Sequence, residues 1–155
     1  MIQPLNLQDD QMLQQILDIQ IPAYQVEAAL IGYWEIPPLK DTIYTLRDSD
    51  ESFYGYFENE KLLGVISYKV EGNVVDLCRL VVEPKCFRRG IGRKLVAWVE
   101  SLERDKTKMI VSTGYDNIPA KTLYGSCGFE EKEELRTPDG LRISLFEKPI
   151  QSAKI

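Results

Sequence analysis

The sequence predicts one α/β (α+β) domain built on a mixed, mostly antiparallel sheet with about four helices. Three observations predict it. Strand-like and helix-like segments follow one another in the order β-α-α-β-β-β-α-β-α-β-β. Two strand pairs are joined by short turns, ENEK and TPDG, which are hairpin signals. A length of 155 residues, without internal repeat or low-complexity linker, suits a single core. The domain is expected over residues 1–150, with a tail at 151–155.

Residues 2–8 read as a short first strand. Asp9 and Asp10 are good helix N-caps, and after them Leu13, Ile16, Leu17 and Gln20 recur at helical spacing. Pro22 is expected to end that helix, and a second, short helix is expected from about Tyr24 to Tyr33. WEIPPLKDT then reads as a loop, because adjacent prolines cannot continue a helix. Residues 52–58 and 62–70 form the first hairpin. The strand at 74–82, VVDLCRLVV, is nearly continuous in apolar residues and is expected to be covered on both faces. Residues 91–104 place Ile91, Leu95, Val99 and Leu102 on one helical stripe. A strand follows at Lys108–Thr113 and a helix at Asn117–Cys127, with Gly128 in a helix-ending position. EKEELR and LRISLFEK close the chain as a hairpin turned by Pro-Asp-Gly.

Composition narrows the chemistry. The net charge of −5 argues against nucleic acid as the main partner, since duplex binders carry a basic surface. No apolar run approaches the ~18 residues of a membrane span, and the opening MIQPLNLQDDQ lacks a signal-peptide pattern. Cys78, Cys86 and Cys127 match neither a disulfide framework nor a zinc motif, so a reduced, cytoplasmic setting and no metal are expected. Histidine is absent, which removes Ser-His-Asp and Cys-His catalysis. Any general base must be a carboxylate, tyrosine, cysteine, lysine or relayed water.

Against that acidic background, VVEPKCFRRGIGRKLV gathers positive charge at a strand-to-helix turn. The first turn of a helix offers unpaired N–H groups and a partial positive charge. Gly90 and Gly92 let an anion approach the backbone, and Arg88, Arg89, Arg93 and Lys94 add charge for more than one phosphate. The spacing is neither a Walker A loop nor a dinucleotide fingerprint. A solvated βα turn is the plain alternative for the loop alone. A second segment, NIPAKTLYGSCGF, places Asn117 and Tyr124 seven residues apart on nearly one helical face, with Ala120 and Lys121 between them. Taken alone, Tyr124 reads as a half-buried aromatic.

Together the two segments resemble the GNAT superfamily of N-acetyltransferases. VVEPKCFRRGIG is similar to that family's pyrophosphate loop, with Phe87 where Arg or Gln is usual. Asn117, Ala120, Leu123, Tyr124, Gly128 and Phe129 meet every spacing of its later motif. The resemblance implies a sheet splayed between the fourth and fifth strands, acetyl-CoA as cosubstrate, and a primary amine on a small molecule or peptide as acceptor. It implies that Arg88, Arg89, Gly90, Ile91, Gly92 and Arg93, with Phe87, surround the pyrophosphate. It further implies that the main chain of Leu80, Val81 and Val82 meets the pantetheine arm, that a backbone N–H there stabilises the oxyanion, and that Asn117 and Ala120 also contact the coenzyme. Dimers are common in the family.

The implied reaction needs a neutral amine, a free alkyl amine having a pKa near ~10. It also needs a proton for the departing thiolate, and Tyr124 is the candidate general acid. Asp76 is the nearest carboxylate for a base, with a water relay and a merely structural Asp76 as alternatives. Tyr24, Glu27, Tyr33, Trp34 and Glu35, with Tyr44, are the candidate acceptor pocket; aromatics with acids suit an amine, and plain packing over the sheet is the alternative. A coenzyme-A-binding module without catalysis is the competing function.

Overall fold

The computed structural model describes residues 1–150; the expected tail at 151–155 lies outside the described residues. The elements are β1 (Ile2–Pro4), α1 (Asp10–Ile31), α2 (Ile43–Arg47), β2 (Ser52–Glu58), β3 (Lys61–Glu71), β4 (Val74–Val82), α3 (Ile91–Leu102), β5 (Lys108–Gly114), α4 (Ile118–Ser126), β6 (Glu130–Arg136) and β7 (Arg142–Pro149). Short 3-10 turns occupy Pro37–Lys40 and Pro84–Cys86. The seven strands form one sheet in the order β1-β2-β3-β4-β5-β7-β6. Every neighbouring pair is antiparallel except β4 and β5, which are parallel.

The order of elements matches the expectation, yet its second helix is a different segment. Asp9 caps α1 through its side chain, accepting from the Gln11 N–H at 3.0 Å. The helix then passes straight through Pro22 and stops only at Gly32, whose φ of 67° is left-handed. Pro22 has no N–H to give the Asp18 carbonyl, but Ile16 and Ile19 before it and Ala28 after it are buried on the same helix. Their packing outweighs the local cost of a proline. The second helix is instead α2, which begins immediately after the segment expected to be a loop, at residues that carry no expected element. Thr42 and Thr45 exchange side-chain-to-backbone hydrogen bonds at its start, and Leu46 is fully buried. The first strand is also shorter than expected, because only Ile2–Pro4 pair with Tyr54–Tyr56.

Two cores lie on opposite faces of the sheet. On one, Leu13, Ile16 and Ile19 of α1 pack with Leu46, Phe53, Val65 and Val81. On the other, Ile91, Leu95, Val96 and Val99 of α3 and Tyr124 of α4 pack with Ile66, Leu77, Met109 and Phe146. α3 buries Ile91, Leu95 and Val99 of the expected stripe, but Leu102, the last residue of the helix, is exposed, because the stripe runs past the end of the core.

Two irregularities open the sheet. β4 pairs with β5 only over Val74–Asp76 and Lys108–Ile110, whereas β5 continues beside β7 as far as Gly114. From Leu77 to Val82 the edge of β4 facing β5 is unpaired, which is the expected splay. On its other edge, β4 pairs Leu77 with Tyr68 and Arg79 with Ser67, leaving Cys78 as the extra residue of a bulge. Leu77 packs in the α3 core before the bulge and Val81 in the α1 core after it.

The far edge of the sheet is β6, EEKEELR, with all seven residues exposed. No helix among the described residues is long and apolar enough to cross a membrane.

Candidate active site

β4 leaves the sheet at Val82 and is anchored there by the Glu83 N–H, which donates to the Leu63 carbonyl at 2.8 Å. The chain then makes a 3-10 turn and two left-handed steps, at Arg88 (φ 69°) and Gly90 (φ 79°). Gly90 is the N-cap of α3 and supplies no side-chain cap. The first bond inside the helix is from the Lys94 N–H to the Gly90 carbonyl, at 3.1 Å. The N–H groups of Ile91, Gly92 and Arg93 are left at the open end.

The two glycines have different jobs. A Cβ on Gly90 would meet nothing within 4 Å, so its left-handed backbone borders open space. A Cβ on Gly92 would lie 3.1 Å from Leu123 Cδ2, so Gly92 lets α3 and α4 pack closely. The basic residues also divide. Arg89 Nη2 lies 2.7 Å from both carboxylate oxygens of Glu58. Arg88 and Arg93 have no ion pair among the described residues. Phe87 is 44% exposed, with its N–H directed at the Pro84 carbonyl, 3.4 Å away.

The turn opens onto the splay. Leu80 and Val82 place their side chains against the α3 core while Val81 packs beneath α1, so all three hold the unpaired β4 edge at a fixed height. Across the gap, α4 begins at Asn117, which is the N-cap rather than a residue of the helix itself. Asn117 Oδ1 accepts from the Ala120 N–H at 3.2 Å. Its Nδ2 donates to Glu27 Oε1 at 2.6 Å and to Thr113 Oγ1 at 3.2 Å. The Asn117 side chain is therefore committed to protein partners. Ala120 is half-buried against the α3-side core.

Tyr124 is 6% exposed, its ring 5.7 Å from that of Phe129 and 5.9 Å from that of Phe146, centroid to centroid. No hydrogen bond to its hydroxyl is found among the described residues. Burial pushes its phenol well above the ordinary tyrosine range, and the charges of Glu27 and Cys127 add to the push. The group stays protonated at neutral pH.

Glu27 comes from α1, on the opposite face of the sheet. Its Oε1 also accepts from Thr113 Oγ1 at 3.3 Å. Burial raises its carboxyl above the usual range, while the bonds from Asn117 and Thr113 pull it back. Tyr24, one turn earlier on α1, has a phenol raised by burial and then by the charges of Glu27 and Tyr124, with Arg79 opposing. A continuous sheet would separate α1 from α4. Here they meet across the end of β5, where β4 has turned away.

The other expected pocket residues divide. The Tyr33 hydroxyl donates to Asp139 Oδ2 at 2.6 Å, tying the end of α1 to the β6–β7 turn. Glu35 pairs with Lys40 at 2.6 Å, and Trp34 and Tyr44 are mostly exposed. Asp76 is the last β4 residue still paired to β5, at the closed apex of the splay. Its carboxyl is raised by burial and by Glu71, with Lys69 opposing. Sequence reasoning missed Thr113 and Arg79. Met109, Val111 and Thr113 share the buried face of β5 by simple alternation, which is the one available signal for Thr113. Arg79 lies between Asp41 and Glu51 as a nearly buried ion cluster beneath the bulge, and no local pattern marks it. A surface hollow lined by Leu7, Arg47, Asp50 and Glu51 among others does not reach the α3 turn or Tyr124.

Residues 13–129 match the family model described as the acetyltransferase (GNAT) family. A curated relative, UPF0157 protein YqkA of Bacillus subtilis (strain 168), is 40% identical over 146 residues, covering 94% of this chain and 43% of that protein. The chain thus spans less than half of that relative's length. Among solved structures, the ribosomal-protein-S18-alanine N-acetyltransferase of Escherichia coli superposes with a TM-score of 0.77 at 20% identity, covering 99% of this chain and 96% of that one. The PaiA N-acetyltransferase of Thermoplasma acidophilum, solved with coenzyme A, gives 0.75 at 21% identity over 96% and 98%. At these identities the two structures speak for the fold.

Proposed function

Because the chain belongs to the GNAT acetyltransferase family, we propose that it transfers an acetyl group from acetyl-CoA to a primary amine by direct attack in a ternary complex. The observation that carries this reading is the continuity of two open features. The unpaired edge of β4, from Leu77 to Val82, is joined by the turn at 83–90 to the uncapped N-terminus of α3. An extended chain ending in phosphates fits that track: strand-like pairing along the edge, then backbone N–H groups at the helix end.

In this reading Ile91, Gly92 and Arg93 hold the pyrophosphate through their N–H groups, and Arg88, Arg89 and Arg93 meet its charge. Gly90 fits the role, since its backbone faces open space. Phe87 lends an exposed apolar face beside the phosphates in place of the usual polar side chain. Main-chain groups of Leu80, Val81 and Val82 align the pantetheine arm, and an N–H of the unpaired edge polarises the thioester carbonyl. Ala120 leaves room beside the arm. Tyr124 donates the proton that the departing sulfur needs. Tyr24 lines the acceptor side, and Asn117 acts by orienting Glu27.

The test is binding followed by turnover. Acetyl-CoA at millimolar concentration should raise the melting temperature of the purified protein, and Gly90→Asp should abolish the shift by placing a carboxylate at the phosphate site. Thiol release with a panel of primary amines then reports transfer. Absence of any thermal shift with the wild type would sink the reading; a shift with no amine turned over would favour a coenzyme-binding module.

A further inference from the structure

We propose that Glu27 is the general base and cation anchor for the acceptor amine, an assignment that rests on the transferase reading above. The geometry points to it in three ways. Glu27 is the carboxylate that bridges the two faces of the sheet at the open part of the splay, joined to β5 through Thr113 and to the head of α4 through Asn117. Both of those hydrogen bonds fall on Oε1, and Oε2 has no hydrogen-bond partner among the described residues. One oxygen is held and the other is left to accept a proton. Asp76, by contrast, sits where β4 and β5 still pair, at the closed apex.

The surroundings suit the task. Tyr24 on α1 and Tyr124 on α4 both feel the charge of Glu27, and Arg79 of β4 and Glu51 face the same region. Arg79 is already shared between Asp41 and Glu51, so the carboxylates of this region outnumber its cations. An arriving ammonium therefore finds a half-buried anion without a dedicated positive partner, and a proton-poor base once it is deprotonated.

R–NH3⁺ gives one proton to Glu27, and the freed nitrogen lone pair forms the C–N bond with the thioester carbon. The C–S bond breaks, and its electron pair stays on sulfur, which takes the Tyr124 phenol proton. The second nitrogen proton restores that phenol, and the proton on Glu27 leaves to solvent. One acetamide, one thiol and one proton result.

Wild type, Glu27→Gln, Glu27→Asp and Asp76→Asn are compared with acetyl-CoA saturating. The probes are n-butylamine, spermidine, kanamycin, lysine and an alanyl peptide, read by thiol release from pH 5.5 to 9.5. Each protein's thermal shift with acetyl-CoA reports folding and coenzyme binding separately. The expected result is a normal shift for all, a kcat loss on the order of 10² or more for Glu27→Gln, and a residual rate that climbs with pH without the carboxylate-dependent limb. Glu27→Asp should keep that limb at a lower rate, and Asp76→Asn should stay within about threefold of wild type. The assignment is overturned if Glu27→Gln keeps the wild-type rate and profile, or if Asp76→Asn carries the loss instead. If acetyl-CoA binds but no probe releases thiol from the wild type, the transferase reading falls and this assignment with it. If acetyl-CoA shifts none of the proteins, the coenzyme site itself is wrong.

Discussion

Arg89 and Glu58 form a bidentate contact in which one guanidinium nitrogen lies 2.7 Å from each carboxylate oxygen, while Tyr56 donates a third hydrogen bond to the same carboxylate at 3.0 Å. The Arg89 guanidinium, followed by the Tyr56 hydroxyl, holds the Glu58 carboxyl below its ordinary range. One cation of the α3 turn is thus already shared with an anion from β2. A phosphate arriving there competes with Glu58.

Glu58→Gln should therefore tighten acetyl-CoA binding, by about two- to fivefold at low salt, since exposed pairs of this kind hold their partners weakly. The gain should shrink as ionic strength rises. Titration calorimetry at two salt concentrations checks it. An unchanged dissociation constant at low salt would place Arg89 outside the coenzyme contact.

Gly90 and Gly92 should respond differently to substitution. Gly90→Ala has room for its Cβ but must keep a left-handed φ, at a cost of about 1–2 kcal/mol. Gly92→Val should cost about 1–3 kcal/mol by overpacking against Leu123. Adding Leu123→Ala should recover part of the Gly92→Val loss and none of the Gly90→Ala loss. Urea denaturation of the single and double variants decides this.

Tyr124→Phe keeps the ring between Phe129 and Phe146 and removes only the hydroxyl. Stability and acetyl-CoA binding should hardly change, and kcat should fall on the order of 10²-fold. Because the Tyr124 phenol is pushed upward, its titration should not appear as a descending limb below pH 10 in the wild type. Steady-state kinetics across pH test both statements; a Tyr124→Phe variant with wild-type kcat would exclude the phenol as proton donor.

Glu27 makes a prediction about stability as well as rate. Its carboxyl is raised in the folded protein, so the native state binds the proton more tightly than the unfolded chain does. The sign follows: stability is fully retained below the unfolded carboxylate pKa of ~4.3 and is lost as pH climbs through the raised native value. Glu27→Gln removes that loss while leaving an oxygen for Asn117. The melting temperature of the variant relative to wild type should increase between pH 4 and pH 7. A difference that is flat with pH would mean that Glu27 is not raised.

Much of the framework was legible because it rests on short-range periodicity. β4 falls on the nearly continuous apolar run at 74–82, and Ile91, Leu95 and Val99 of α3 are buried where helical spacing puts them, with Leu102 left exposed. α1 was misread at Pro22 because a local breaker says nothing of Ile16, Ile19 and Ala28 being buried together on the sheet. α2 was missed because five residues with one buried leucine carry almost no periodic signal. The strand-to-helix turn before α3 and the start of α4 at Asn117 lie where the sequence puts them. The contact between Glu27 and Asn117 was not legible, since 90 residues separate them and only the parting of β4 from β5 brings them together. The pairing of Arg89 with Glu58 is equally non-local, and it turns one residue of an apparently free basic cluster into a contested one.

The two rims of the sheet bear on how copies of this chain can meet. β1 offers three residues ending in Pro4, too short a template for another strand. β6 is long enough, but it presents four glutamates against one lysine and one arginine. A second copy approaching β6 to β6 would bring together two strips of net negative charge with little apolar surface to cover. Both rims thus weigh against joining two sheets into one continuous ribbon. A lysine-rich strand of some other protein would meet no such barrier at β6.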